Sequence, residues 1–104
     1  MVIYNVTVSV DADIEQEWSA WMRSTHIGEV MATGLFVKYQ LLKMVEDPEN
    51  TAGVTYAVQY YLNNLEDFLN YSQNYAPALQ AKTREKYGDK ALAFRTLLEV
   101  IEAG

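Results

Sequence analysis

The chain has 104 residues, eight basic side chains against fourteen acidic ones, a formal charge of −6, one histidine and no cysteine. That length supports a single domain over residues 1–104, and the missing thiols exclude disulfides, a thiol nucleophile and a Cys-based zinc site. Scattered basic residues on an acidic chain argue against nucleic acid or an anionic membrane as partner, and with no run of about 18 apolar residues and no basic signal-peptide start the expected location is the cytoplasm.

Residues 2–10 alternate, with Val2, Tyr4, Val6, Val8 and Val10 on one side and Ile3, Asn5, Thr7 and Ser9 on the other, the pattern of a half-buried strand. Asp11 and Asp13 then offer helix N-caps, Asp13 with Gln16 as a variant capping box. The helix that follows places Ile14, Trp18, Trp21, Met22 and Thr25 on one face. After Thr25 the stripe jumps, because Ile27, Val30 and Met31 fall on the opposite side of a straight helix. The helix must therefore kink, or end and restart with Ser24 or Thr25 as the new cap, with Gly28 weakening the junction and Gly34 as the stop. His26, the single histidine, lies at that discontinuity.

Residues 35–45 read as a second strand, closed by the turn-rich stretch EDPENTAG at 46–53. Residues 54–62 alternate again and form a hairpin with it, Val54, Tyr56, Val58, Tyr60 and Leu62 on the apolar side. Asn63 with Glu66 is the expected cap of a second helix, whose stripe is Leu65, Phe68, Leu69, Ser72, Ala76, Leu79, Thr83 and Tyr87. Pro77 kinks this helix or opens a second segment at its first turn, and Gly88 ends it. Residues 90–101 are the fourth strand, with Leu92, Phe94, Leu98 and Val100 on one side. The order β-α-β-β-α-β is the split βαβ pattern of the α+β ferredoxin-like fold. Right-handed crossovers give a four-stranded antiparallel sheet in the order 4-1-3-2 with both helices on one face.

The other sheet face then has no cover from its own chain. The expected residues on it are Ile3, Asn5, Thr7 and Ser9; Thr55, Ala57, Gln59 and Tyr61; and Ala91, Ala93, Arg95, Leu97 and Ile101. Small apolar and uncharged polar residues dominate it, as suits two such faces stacked in a symmetric homodimer. Asn5, Thr7, Ala57, Gln59, Ala93 and Arg95 are the candidate interface residues.

The stretches WSAWMRSTHIGEVMATGLF at 18–36, TYAVQYY at 55–61 and FRTLLEV at 94–100 resemble a family of small bacterial proteins classed as a domain of unknown function. More broadly the chain is similar to the dimeric α+β barrel superfamily. The resemblance implies a ferredoxin-like subunit that pairs through its sheet, with no assigned activity. Some superfamily relatives are cofactor-free monooxygenases or haem-handling proteins with a pocket between helices and sheet. His26 matches the family's helix-one histidine in HIGEVMATG, and Gly28 stands where many relatives have proline.

No constellation of catalytic residues emerges. His26 titrates near neutrality and is the candidate acid/base group, with Glu29 one turn on, but one imidazole and one carboxylate make no specific metal site. Its alternative role is to pack at the helix break and bond a freed backbone group. Ser24 and Thr25 adjoin His26 without facing it, no glycine-rich loop cradles phosphate, and the carboxylates of EDPEN lack calcium-loop spacing. Trp18, Trp21, Met22, Tyr56, Tyr60, Phe68 and Phe94 are expected on the helix-covered face, as core or as the lining of a cavity. The sequence thus reads as a non-enzymatic dimeric module acting through assembly or a protein partner, without cofactor or metal. The second reading is a small apolar ligand-binding protein or cofactor-independent enzyme, with its pocket between helix one and the sheet bordered by Trp21, His26 and Tyr60.

Overall fold

The computed structural model of the chain describes residues 1–46, 48–49 and 52–104. Strand β1 (Val2–Asp11) runs into one turn of 3-10 helix (Ala12–Ile14), then α1 (Glu15–Trp21), a π-helical turn (Met22–His26) and α2 (Ile27–Met31). Strands β2 (Lys38–Lys43) and β3 (Gly53–Leu62) follow, then α3 (Leu65–Asn74), α4 (Ala76–Tyr87), a second 3-10 turn (Gly88–Lys90) and β4 (Ala91–Glu99). All strand pairs are antiparallel in the order β2-β3-β1-β4, the expected ferredoxin-like arrangement read from the other edge.

The jump in the first helical stripe has a specific cause. The helix neither kinks nor restarts: every residue flanking the π turn is in the right-handed helical region. The N–H of Ile27 bonds the carbonyl of Met22, five residues back, so one extra residue is absorbed without a break. Trp18, Met22, Ile27 and Val30 are consequently all buried on one side. Neither Ser24 nor Thr25 caps anything; their hydroxyls lie 3.2 Å from each other. Asp11 and Asp13 make no cap hydrogen bond either, and Asp13 instead meets Lys90 Nζ at 2.6 Å. Gly34, at φ 79°, does end the helix, its N–H bonded to Met31 O.

Other boundaries moved for local reasons. The ladder of β2 begins only at Lys38, because Phe36 turns into the core, where it packs edge-on against Tyr71 at 4.8 Å. Of the expected 46–53 turn, and of its EDPEN carboxylates, residues 47, 50 and 51 lie outside the described residues. The cap of α3 is Asn64, not Asn63: its Oδ1 accepts from the Asp67 N–H at 2.8 Å. Pro77 opens α4 at its first turn, as one of the two expected outcomes. The resulting offset between α3 and α4 buries Tyr71 and leaves Leu65, Leu69 and Ser72 of the expected stripe exposed.

The largest correction concerns β4. Its partners on β1 are Val10 for Ala91, Val8 for Ala93, Val6 for Arg95 and Tyr4 for Leu97, so these four share the helix-covered face. Leu92, Phe94, Thr96 and Leu98 share the bare face with Ser9, Thr7, Asn5 and Ile3. Ala93 and Arg95 are therefore not on the face that two sheets would stack, and Phe94, 69% exposed, is not under the helices. Both alternating sets of β4 carry apolar residues, and the larger ones, Leu92, Phe94 and Leu98, are on the bare face, so hydrophobicity alone does not assign the faces. The ladder does: its register with β1 sets Ala91, Ala93 and Arg95 beside Val10, Val8 and Val6, on the face that the helix layer of Trp18, Met22, Tyr71 and Leu79 covers.

Gly53 pins the end of the sheet. It lies opposite Asp11, and a Cβ there would stand 2.2 Å from the Val10 carbonyl oxygen. Backbone cannot yield as a side chain can, so Gly53→Ala should destabilise the fold by about 1–3 kcal/mol, read as a lower urea midpoint at unchanged slope.

Candidate functional site

Between the helices and the sheet lies a chamber of about 50 Å³. Its floor is Tyr4, Val6, Val8, Val58 and Tyr60, and its roof Trp18, Met22, Val30, Tyr71 and Leu79. Ala91 and Ala93 of β4 leave the space open at one side, where Gln80, Thr83 and Arg95 form the rim. Across that rim the chamber continues into a groove of about 290 Å³ between α4 and β4, which shares Gln80, Thr83, Ala91, Ala93 and Arg95 and adds Arg84 and Asp89.

The π turn sets the position of His26. Residues five apart come into line there, and the imidazole stacks on Trp21 with ring centroids 4.7 Å apart and planes 19° apart. His26 Nδ1 is buried without a hydrogen-bond partner within the chain, and Glu29 Oε1 is 3.9 Å away, beyond hydrogen-bond reach. Glu29 is engaged by Lys82 of α4. The expected bond from the imidazole to a freed backbone group is not made at the buried Nδ1. Burial holds the His26 pKa below its ordinary value, opposed by the Glu29 charge and reinforced by Lys82 and Arg95.

Of the three expected pocket residues, His26 and Tyr60 line the chamber. Trp21 does not: it is wedged between His26 and Tyr87, whose ring meets it edge-on at 5.5 Å. The indole that does line the space is Trp18, 1% exposed, whose Nε1–H has no acceptor within the chain. Tyr4, Tyr60 and Tyr71, all buried, meet at the other end with Phe36 and Phe68. Burial raises the pKa of all three tyrosines, so their hydroxyls stay protonated. At Tyr4 the Arg95 charge works against the effect of burial. The sequence reading missed Arg95, Gln80 and Tyr71 as lining residues, while Trp18 and Met22, expected on the helix-covered face as core or cavity lining, do line it. A helix-side assignment of the alanines of β4 would have found Arg95.

Outside the chamber, Tyr56 ties β3 to α1 by donating to Glu15 Oε2 at 2.6 Å, and Lys43 Nζ meets the same oxygen at 2.9 Å. Burial and the Glu15 carboxylate push Tyr56 up to about 12. Among the described residues no cluster of three or more His, Asp or Glu side chains is placed to hold a metal ion. Among the same residues no helix is long and apolar enough to cross a membrane.

A four-stranded antiparallel sheet with its helices on one face, built β-α-β-β-α-β, defines the ferredoxin-like α+β class. Within it the chain belongs to the family described as domain of unknown function DUF4286, whose model matches residues 1–101. No curated protein matches the chain. Among solved structures it is similar to a MhuD mutant with two manganese protoporphyrin IX bound per active site, at 21% identity, TM-score 0.73, covering 100% of this chain and 98% of that one. It is also similar to an ethyl tert-butyl ether d (EthD) family protein from Bacillus halodurans, at 13% identity, TM-score 0.72, covering 97% and 100%. A dimeric ferredoxin-like protein from an uncultured marine organism matches at 11% identity, TM-score 0.57, covering 99% and 97%. These likenesses establish the fold. A chamber of about 50 Å³ does not fit a porphyrin, since even drug-sized ligands occupy roughly 300–1,000 Å³.

Because His26 is the single histidine, its ring protons titrate without overlap. A buried neutral imidazole contributes stability that is full above its ordinary pKa of 6.5 and is lost as pH falls through that value toward the lower folded one. The proton NMR midpoint of His26 should lie below 6.5, and His26→Gln should remove the stability decline on acidification through that window. A midpoint above 6.5 would contradict burial as the dominant influence.

Proposed function

We propose that the protein is a homodimer, joined through the bare sheet faces, whose subunits each hold a small, largely apolar ligand in the chamber beneath the helices. The observation that carries the ligand reading is the pairing of an internal space with two buried, unpartnered polar atoms, Trp18 Nε1 and His26 Nδ1, on its lining residues. Buried polar groups are normally satisfied, and exceptions inside a cavity mark places where something else completes the bonding. Binding rather than turnover is the proposed role. Among the described residues the buried Nδ1 of His26 has no hydrogen-bonded partner to orient it.

The pairing of subunits is supported by the corrected face of β4. Leu92, Phe94 and Leu98 join Ile3, Ala57, Tyr61 and Leu42 on a surface whose polar members, Asn5, Thr7 and Gln59, are uncharged. Lys38, at its edge, lies over the Tyr61 ring, 4.5 Å from the centroid. Exposed apolar patches of this kind mark interaction surfaces. Asn5 points the same way: its Nδ2 donates to Thr7 Oγ1 at 3.0 Å, while its buried Oδ1 has no partner within the chain. A two-fold-related copy supplies both apolar cover and a donor. The dimeric ferredoxin-like protein of similar fold is consistent with this reading.

Ala57→Glu and Phe94→Glu should each give monomers by light scattering, since either buries an unpaired charge in the stacked faces. Ala93→Glu should leave the mass of the assembly unchanged, because Ala93 faces the chamber. Persistence of the dimer in both of the first two variants would sink the stacked-sheet arrangement. For the chamber, native mass spectrometry of gently purified protein should show an added small-molecule mass per subunit, lost in Ala93→Leu while the dimer stays intact. Identical spectra for the two proteins would count against an occupied chamber.

A further inference from the structure

A row of uncharged polar side chains crosses the middle of the bare sheet face. Gln40, Gln59, Asn5 and Thr96 are successive register partners on β2, β3, β1 and β4, so they stand in one line across the strands. The rows on either side are largely apolar, with Leu42, Ala57 and Phe94 in one and Tyr61, Ile3 and Leu98 in the other. Slipping two stacked faces by one rung, two residues along every strand, would set amides against Phe94 and Leu98 with nothing to bond. Polar row must therefore lie on polar row, which restricts how two copies can meet.

The two amides at the centre of the row are unequally satisfied. Asn5 Nδ2 donates to Thr7 Oγ1 at 3.0 Å, while its buried Oδ1 has no donor within the chain. Gln59 is the reverse: the Tyr61 hydroxyl lies 3.5 Å from its Oε1, and its Nε2 is not hydrogen-bonded among the described residues. The two are register partners, yet Gln59 does not reach Asn5 Oδ1 in the same chain.

Two dyads keep the polar rows together. One that runs along the row sets each residue opposite its own copy, so two Asn5 acceptors face each other with their donors already committed to Thr7. One that runs parallel to the strands, between β1 and β3, sets β3 over β1 and β2 over β4, and Asn5 then faces Gln59 of the partner subunit. Stacked sheets lie about 10 Å apart, a gap that an Asn and a Gln side chain joined by a hydrogen bond can span. We infer that the two-fold axis of the homodimer runs parallel to the strands between β1 and β3, fixed by two equal bonds from Gln59 Nε2 of one subunit to Asn5 Oδ1 of the other. The same axis sets Leu42 against Phe94 across the interface, so side chains 41% and 69% exposed in the single chain cover each other. Lys38 falls at the outer corner of the stack, where its ammonium reaches water. This inference rests on the sheet-pairing reading above, is independent of any ligand, and goes beyond that reading by fixing the axis and the bonds that select it.

The test is charge exchange across the sheet edges in the intact chain, with subunit mass read by light scattering and folding checked by circular dichroism. Strands β2 and β4 are separated by two others and lie roughly 14 Å apart, so charges at positions 42 and 94 cannot pair within one chain. Leu42→Lys and Phe94→Glu should each raise the dimer dissociation constant at least about a hundredfold. Both substitutions in one chain should restore the dimer, because each introduced charge then faces its opposite. Asn5→Leu and Gln59→Leu should each weaken the dimer at least about tenfold by leaving a partner amide buried and unbonded, and the double variant should recover most of that loss. Single charge variants that are monomeric without rescue in the double variant would overturn this axis and leave sheet pairing standing. Additive losses at positions 5 and 59 would overturn the amide bonds as what fixes it. Dimers that persist in both charge variants would overturn the axis together with the sheet-pairing reading.

Discussion

The backbone hydrogen bond from the Ile27 N–H to the Met22 carbonyl is where the arrangement of the first helix is decided. One residue more than an α turn is held between Trp18 and Val30, and the apolar stripe, spaced four, five and three, stays in register with the sheet. A regular α-helix through the same sequence would rotate Ile27 and Val30 away from the core and carry Glu29 toward it. The π turn costs hydrogen-bond quality. Burial of Ile27 and Val30, each 2% exposed, offsets that cost, with roughly 1.5–3 kcal/mol gained for each fully buried aliphatic side chain. It also sets the i, i+5 stacking of Trp21 and His26, so the imidazole borders the chamber as a by-product of how the helix keeps its phase.

The space beneath that helix exists because β4 contributes little to fill it. Tyr4 and Tyr60, with Phe36, Phe68 and Tyr71, pack one end of the core densely through stacked, tilted and edge-on ring contacts. At the other end Ala91 and Ala93 stand where bulkier side chains would close the gap. Large residues of the same strand, Phe94 above all, go to the opposite face, so the bulk missing from the interior reappears on the surface proposed for pairing.

Much of this was legible in the sequence, and the failures share a cause. Strand order, hairpin and helix count follow from alternation and turn residues, which are local signals. The phase jump at Thr25 was visible too, although its resolution as a π turn was not, because residue types that favour a π turn over a kink have no distinctive pattern. The faces of β4 were read by size, with the larger set assigned inward. Ala91, Ala93 and Arg95 against Leu92, Phe94 and Leu98 is a choice settled by what β1 and the helices already occupy, which is tertiary information. Asn64 in place of Asn63 as the cap is the same kind of error on a smaller scale, since adjacent asparagines offer the same chemistry one residue apart. For the site this mattered: Arg95 was assigned to an interface when it stands at a mouth, and Trp21 to a lining that Trp18 provides.

The division of labour along β4 has a consequence for how this chain tolerates change. Even-numbered positions from Leu92 to Leu98 face outward and odd-numbered ones from Ala91 to Leu97 face inward, with β1 fixing the register. Each position is therefore open to substitution within its own side. Inserting or deleting one residue ahead of Phe94 would exchange the two sides at once, driving a phenyl ring into the chamber and a guanidinium onto the outer surface. Length, more than identity, is what this strand must conserve, and divergent members of the family should vary in side chains here while keeping the distance from Gly88 to Glu99 constant.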